Sequence, residues 1–369
     1  MARILINGSH AHYLYNFRSA LAEEMIRRGH EVHVASPELR GEFADHFRRM
    51  GAIPHDIALK RTKVSFTGDI LYYRSMVRLI REQRIDFVLN YTIKPNIWGS
   101  LAAQKAGARS ASMVTGLGFA FIERSGVIRK LTQKIAQGLY RLATNANIHV
   151  IFQNPDDRDD FIAAGCLNET AKVVMVNGSG INLDQFALTA LPDRPVFLTI
   201  ARLLHSKGLY ELAEASRAVR AAVPGTRIRI AGMLDTGPAA VTRAELDEWI
   251  ADGIEYLGLL DDVRPALAEA SVFVLPSWRE GTPRTVLEAM AMGRPIVTTD
   301  APGCRETTVD GLNGRLVPLK DPDALARAMI ELGSDAGLRE RMGAASRKIA
   351  QDKYDVHQVN ARLLDQIGL

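Results

Sequence analysis

The sequence predicts an α/β protein built from two successive doubly wound parallel sheets, and three observations carry that expectation. Short apolar, β-branched runs alternate with amphipathic stretches of helical period along 369 residues, as in strands covered on both faces by helices. The series breaks at Phe186 to Pro195, which holds two prolines and little periodicity, and then starts afresh. The length also suits two domains of ordinary size, each with a core of its own.

The elements follow in order. Arg3-Ile4-Leu5-Ile6 reads as a strand, Asn7 to His12 as a polar Gly-containing loop, Tyr15 to Arg28 as an amphipathic helix closed by Gly29, and Glu31 to Ala35 as a second strand. That is a βαβ unit. Further strands are expected at 87–89, 112–114, 148–152 and 173–176. The second series contains strands at 196–200, 227–230, 254–257, 272–275 and 295–299, with a helix from about Gly208 to Ala222 and another introduced by Asp321-Pro322. The expected domains are 1–186 and 187–350, followed by a C-terminal helix in 351–369 with apolar positions Val356, Val359, Leu363, Leu364 and Ile367. Ligands of such sheets bind beyond the carboxyl ends of the strands, so two facing domains of this Rossmann-like kind are expected to share a cleft.

Composition narrows the function classes. With 47% hydrophobic and 24% charged residues and no low-complexity tract, the chain reads as soluble and globular. No apolar run approaches the length of a membrane span, and Met1 to Ile6 is too short for a signal-peptide core, so a cytoplasmic protein is expected. Cys166 and Cys304 lack the paired spacing of a disulfide framework or zinc site. The net charge of +4 conceals an asymmetry: 24 Lys and Arg face 17 Asp and Glu in residues 1–190, and 22 face 25 in residues 191–369. Basic residues crowd from Arg40 to Arg84, including Lys60-Arg61-x-Lys63. Arg74, Arg78, Arg81 and Arg84 recur at helical steps among apolar neighbours, which suits either docking on an anionic membrane surface or, more commonly, a solvated outer helix face. The first alternative would make the protein peripheral on the inner face of the plasma membrane. Nothing resembles a nucleic-acid reader.

The segment Ser271 to Glu288 carries most of the chemistry. Val272 to Leu275 is a strand ended by Pro276, and Thr282-Pro283 reads as an N-cap followed by proline at the first helical position. A strand running into a loop and a helix N-terminus is suited to anions. Glu280 lies in that loop, and Glu288 lies within the helix, about 9 Å along its axis from Thr282, so the two acids are expected to face different parts of one ligand. The plainer alternative has Glu280 favouring the helix N-terminus and Glu288 pairing with Arg284 four residues away. Arg202 and Lys207 bracket the loop Ala201 to Gly208 after the first strand of the second series, an arrangement suited to a diphosphate. In the first domain, Gly8-Ser9 and Thr115-Gly116-Leu117-Gly118 also follow strands and permit close approach of a ligand. Gly116-x-Gly118 lacks the rest of a dinucleotide fingerprint, so no nicotinamide cofactor is expected.

Other residues admit two readings. His10 either orients a bound ligand or is an exposed loop histidine, the commoner case; His205 shapes its loop. Trp98 either packs under a ligand channel or belongs to the core. Asp157-Arg-Asp159 and Asp321-Pro-Asp323 match a metal-binding signature, but both stand at helix starts, where acids are ordinary dipole partners. No metal site is expected.

As a set, the Glu280/Glu288 pair inside PSWREGTPRTVLEAMAMGRPIV, the ARLLHSKG loop, VNGSGINLDQF at 176–186 and Gly303-Cys-Arg-Glu306 before DGLNGRLV resemble the GT-B-fold retaining glycosyltransferases of family four. The first domain, with NGSHAHYLYNFR, NYTIKPNIWGS and TGLGFAF, is similar to the subgroup that extends undecaprenyl-diphosphate glycans, N-acetylgalactosaminyltransferases among them. The resemblance implies a metal-independent hexosyltransferase that moves a sugar from a nucleotide-sugar, with UDP-GalNAc, UDP-GlcNAc or UDP-Gal as donor, onto a lipid-linked glycan. The nucleotide-sugar is a substrate, so no cofactor is implied. Arg202 and Lys207 would hold the donor diphosphate and Glu288 the ribose hydroxyls. Glu280 would contact the donor sugar, with backbone N–H groups at Gly281 and Thr282. Gly8 would lie against the phosphates from the first domain, and the last helix would cross back to that domain. Two alternatives remain: a sugar-nucleotide epimerase of similar fold, expected to carry acid/base carboxylates in both domains, and a non-catalytic, membrane-associated sugar-nucleotide binder, expected to lack the phosphate-binding cations.

Overall fold

The structure, a computed structural model, describes residues 1–59, 66–117, 127–167, 172–237 and 239–369. Gly118 and the Lys60-Arg61-x-Lys63 group fall outside these residues. The chain divides into two compact units, Met1–Ser179 with His357–Leu369, and Gly180–Val356. The division falls at 179/180 instead of 186/187 because the chain is already bound into the second unit at Ile181. Its N–H donates to the Tyr354 carbonyl at 2.7 Å, and its own carbonyl accepts from Val356 N at 3.0 Å. Residues 351–356 stay with the second unit for the same reason.

The first unit holds a seven-stranded sheet in the order β3-β2-β1-β4-β5-β6-β7. Its strands are β1 Arg3–Asn7, β2 Glu31–Ser36, β3 Ile53–Asp56, β4 Phe87–Tyr91, β5 Arg109–Val114, β6 His149–Phe152 and β7 Lys172–Met175, and every pairing is parallel. β3, which carries Pro54, was not evident in the sequence; proline is tolerated there because the strand lies at an edge. Alternation along β1 shows why the sheet is covered twice. Ile4 and Ile6 enter a core with Leu14, Leu21 and Met25, while Leu5 enters another with Tyr72, Met76 and Ile80 from the helix Phe66–Glu82.

The second unit holds six parallel strands in the order β10-β9-β8-β11-β12-β13. They are β8 Val196–Ile200, β9 Arg227–Ala231, β10 Glu255–Tyr256, β11 Val272–Leu275, β12 Ile296–Thr299 and β13 Gly314–Val317. β11 again divides its side chains, Val272 and Val274 to one core, Phe273 and Leu275 to the other. Sequence order reverses between β1 and β4 in one sheet and between β8 and β11 in the other, leaving a crevice at the carboxyl ends of these strands.

The last helix, Val356–Ile367, places Val359, Leu363, Leu364 and Ile367 in the first unit's core. Arg28 fastens it, donating to Asp365 Oδ1 and to the Leu369 carbonyl, both at 2.7 Å. Leu364 is fully buried, so Leu364→Ala is expected to cost about 2–5 kcal/mol. Amide hydrogen exchange should then show lost protection in β1 and β2 with β8 and β11 unchanged; equal losses in both sheets would contradict the helix's place in the first core.

Candidate active site

In the second unit, three neighbouring strands deliver three loops to one end of the sheet. After β8 the chain runs through Ala201 to a 3₁₀ turn, His205–Lys207, and then the helix Leu209–Ala222. After β11 it runs through Pro276 to Pro283 and enters the helix Arg284–Ala291. After β12 it passes Gly303 and a second 3₁₀ turn, Arg305–Thr307.

The loops are joined mainly through backbone. Trp278 N donates to the Ser206 carbonyl at 2.9 Å, and Glu280 N donates to the Pro302 carbonyl at 2.9 Å. Ser277 Oγ reaches the same Ser206 carbonyl at 3.2 Å, and Thr299 Oγ1 donates to the Ser277 carbonyl. Gly208 has φ +70°, and a Cβ there would lie 2.0 Å from the Pro276 carbonyl oxygen. Gly303 has φ +80°, and its Cβ would lie 2.2 Å from the Glu280 carbonyl oxygen. Both positions thus require glycine twice over, for conformation and for space.

This framework brings Lys207 and Glu280 together: Lys207 Nζ donates to Glu280 Oε1 at 2.5 Å, with both side chains mostly buried. Gly281 and Thr282 follow in the same loop, half-buried. Thr282 is not the N-cap. Pro283 takes that place with an extended ψ of 107°, and its carbonyl accepts from Val286 N at 3.1 Å. The helix therefore starts one residue later than expected, and the missing proline N–H falls where no helical partner exists.

Glu288 lies inside this helix, almost completely buried, and accepts from Arg284 Nε at 3.1 Å. Arg284 also reaches the Gly180 carbonyl at 3.3 Å. Burial pushes the Glu288 pKa above the ordinary carboxylate value; the charge and hydrogen bond of Arg284 oppose the shift, and Asp262 adds to it. The four-residue pairing with Arg284 is therefore real, and it belongs to a buried carboxylate. Arg202 turns elsewhere: about half exposed, it donates to Asp235 Oδ2 at 3.2 Å in the loop after β9. His205 shapes its loop, with Nε2 3.7 Å from Glu245. Glu245 also caps Thr242 and accepts from Tyr210, contacts that lower its pKa to about 2.

Gly8 belongs to the first unit. Its N–H donates to the Ala35 carbonyl at 2.9 Å, and a Cβ would meet Leu14 Cδ2 at 2.7 Å, which gives the glycine a packing role of its own. Beside it, Thr92 Oγ1 donates to Ser9 Oγ at 2.9 Å, joining the loops after β1 and β4. Thr92 has φ +71°, and Lys94 pairs with Asp69 at 2.7 Å. His10 occupies the N-cap position of the helix Ala11–Arg27, its ring 5.0 Å from that of Tyr13. The two Asp-x-Asp matches serve helix starts: Asn154 Oδ1 accepts from Asp157 N at 2.7 Å, and Asp321 Oδ1 accepts from Ala324 N at 2.8 Å.

Sequence reasoning missed Gly303, Asp235 and Thr92 as contributors to these loops. The glycine stood in a quoted motif, yet its contact with the Glu280 carbonyl depends on the spacing of β11 and β12, which no local pattern reports.

Comparison with known proteins agrees with this architecture. Residues 19–184 match the model of Glycosyltransferase Family 4, and residues 194–335 match that of Glycosyl transferases group 1. The chain is 26% identical over 372 residues to the N,N'-diacetylbacillosaminyl-diphospho-undecaprenol alpha-1,3-N-acetylgalactosaminyltransferase of Campylobacter jejuni, covering 96% of each chain. It is 24% identical to the UDP-Gal:alpha-D-GlcNAc-diphosphoundecaprenol alpha-1,3-galactosyltransferase of Escherichia coli, over 74% of this chain and 72% of that one. Among solved structures, Anabaena HepE in complex with UDP superposes with a TM-score of 0.78 at 18% identity, covering 99% of each chain. A glycosyltransferase from Rickettsia africae gives a TM-score of 0.80 at 16% identity, over 99% of this chain and 97% of that one. The chain belongs to the GT-B-fold glycosyltransferases, joining a Glycosyltransferase Family 4 domain to a Glycosyl transferases group 1 domain.

Proposed function

We propose that the protein transfers a hexose, with retention of configuration and without a metal ion, from a UDP-sugar to a glycan carried on undecaprenyl diphosphate. The observation that carries the proposal is the meeting of Lys207 and Glu280 across the β8 and β11 loops, beside the buried Glu288–Arg284 pair. Similarity to two transferases whose names specify diphospho-undecaprenol acceptors supports the acceptor class, and the name of one specifies a UDP-sugar.

In this reading the donor diphosphate competes with Glu280 for Lys207 and draws Arg202 from Asp235. Glu280 turns to the sugar, Gly281 and Thr282 offer backbone N–H groups, and Glu288 accepts from the ribose hydroxyls. The acceptor oxygen attacks the anomeric carbon on the face that the phosphate leaves. The carbon–phosphate-oxygen bond breaks as the new glycosidic bond forms, and the hydroxyl proton passes to the departing phosphate. Such a step depends on stabilising the leaving diphosphate, which Lys207 and Arg202 supply. The outer face of the helix Phe66–Glu82, with Arg74 and Arg78 beside the exposed Ile70 and Leu71, offers contact with an anionic membrane surface. Among the described residues, no helix is long and apolar enough to cross a membrane.

Three outcomes test this reading. Titration with UDP, UDP-GalNAc, UDP-GlcNAc, UDP-Gal and GDP-mannose by calorimetry in EDTA should show one sugar nucleotide binding to the wild type and not to Lys207→Ala. Absence of any binding would refute the donor assignment. Glu288→Gln and Lys207→Ala should each lower turnover by about 10²–10³-fold while remaining folded, and wild-type turnover in either would remove that residue from the site. Arg284 opposes the upward shift of the Glu288 pKa. Arg284→Gln should therefore leave Glu288 protonated to higher pH and move the acid limb of donor binding upward; an unmoved limb would dissociate Arg284 from Glu288 ionisation.

A further inference from the structure

In the first unit the chain leaves β4 and enters the next helical segment through a single residue, Thr92, whose φ of +71° lies in the left-handed region. A β-branched side chain is strained there, whereas glycine or asparagine would fit more readily. We propose that this turn holds the hydroxyl pair of Thr92 and Ser9 in place to bind a hydroxyl of the neutral acceptor sugar, an inference that rests on the glycan-transfer reading above.

The strained turn is imposed by what surrounds it. Asn7, at the end of β1, and Asn90, beside it on β4, are buried and hydrogen-bonded to each other at 2.7 Å. The π-helical turn Pro95–Gly99 closes over them. Its Trp98 ring meets that of Tyr73 edge-on, with centroids 6.4 Å apart, and Asn96 N donates to the Thr92 carbonyl at 2.8 Å. A left-handed threonine persists only where its surroundings over-determine it, and such residues gather at ligand sites. Thr92 also stands where sheets of this kind take ligands, beyond the carboxyl ends of the two strands at which sequence order reverses.

The chemistry of this rim selects a neutral ligand rich in hydroxyls. Thr92 Oγ1 donates to Ser9 Oγ at 2.9 Å, which leaves lone pairs on Thr92 to accept from a ligand and the Ser9 proton to be donated to it. Lys94, two residues on, is balanced by Asp69 at 2.7 Å with both side chains largely buried, so it offers a phosphate no uncompensated charge. Tyr91, one residue before, has a buried hydroxyl with no hydrogen-bond partner among the described residues, a cost that a bound hydroxyl would lift. His10 follows Ser9, its ring 5.0 Å from that of Tyr13, which is 38% exposed. Such a ring suits the C–H face of a sugar. Hydroxyls beside an aromatic surface match a pyranose better than a lipid chain or an anion.

The test uses the full chain with the methyl α-glycosides of glucose, galactose, mannose, N-acetylglucosamine and N-acetylgalactosamine, followed by ligand-observed NMR, and inorganic diphosphate as the anionic probe. At least one glycoside should bind wild type and Lys207→Ala equally. Thr92→Val keeps the branched shape and removes the hydroxyl, and should weaken that binding at least about tenfold; Thr92→Ser should retain it. Thr92→Gly relieves the strain and should melt no lower than wild type while losing the glycoside, a combination that a packing role would not produce. Failure of every glycoside to bind wild type, retained binding in Thr92→Val, or loss of binding in Lys207→Ala would each overturn the inference. Diphosphate binding that Thr92→Val abolishes would also overturn it, in favour of an anion site. Because UDP-sugar binding is measured separately at Lys207, failure here with donor binding intact would count against the turn alone.

Discussion

The candidate site depends on how closely three loops approach at the end of one parallel sheet. Backbone carbonyls at Pro276 and Glu280 occupy the space that side chains on Gly208 and Gly303 would need. Those approaches hold the Ser206–Trp278 and Glu280–Pro302 hydrogen bonds, which set the distance between Lys207 and Glu280. A methyl group at either glycine would have to displace main chain, since neither obstructing atom belongs to a flexible side chain. Loop geometry here is fixed by the strands beneath, and the ionic contact follows from it.

The two glutamates are both largely enclosed, each beside a cation: Glu280 beside Lys207 and Glu288 beside Arg284. Glu288 carries the cost of that enclosure as a raised pKa. Arg284 opposes that shift and is itself anchored to the Gly180 carbonyl. Removing one member of such a pair would leave a buried charge uncompensated. Cys304 shows the same enclosure: burial first, then the negative charge of Glu280, raises its thiol to about 12, with Lys207 opposing. It is an inert packing residue beside the site, as expected of a cysteine without paired spacing.

Much of the fold was legible because the strands are buried on both faces, so that β1, β8 and β11 appear as apolar runs ended by polar or proline-containing loops. The strand–loop–helix order around Glu280 could be read from Pro276 and Thr282-Pro283, although the cap proved to be Pro283. Local patterns failed where a contact spans sheet neighbours. β3 hides its strand character behind Pro54, and Asp235 meets Arg202 only because β9 lies beside β8. The division between units was misplaced for a similar reason: Ile181 is held by Tyr354 and Val356 from the far end of the chain, which prolines near position 192 do not foretell.

The first unit solves the same problem of an ordered strand end by other means. Asn7, Asn90 and Ser112 lie in register on β1, β4 and β5, and all three are buried. Asn7 Nδ2 donates to Asn90 Oδ1 at 2.7 Å, Tyr72 Oη donates to Asn7 Oδ1 at 2.9 Å, and Asn90 Nδ2 reaches Ser100 Oγ at 3.2 Å. Such a row is costly in an apolar interior unless its groups find partners. Here the partners come from the helices on both sides of the Tyr73–Trp98 contact, and Gly99 lets the π-helical turn close over the row, since a Cβ would lie 2.1 Å from Asn90 Oδ1. The network therefore fixes the height of that turn above the sheet. With it are fixed the left-handed Thr92 and the positions of Lys94 and Trp98, so polar satisfaction in the core sets the geometry of the crevice rim.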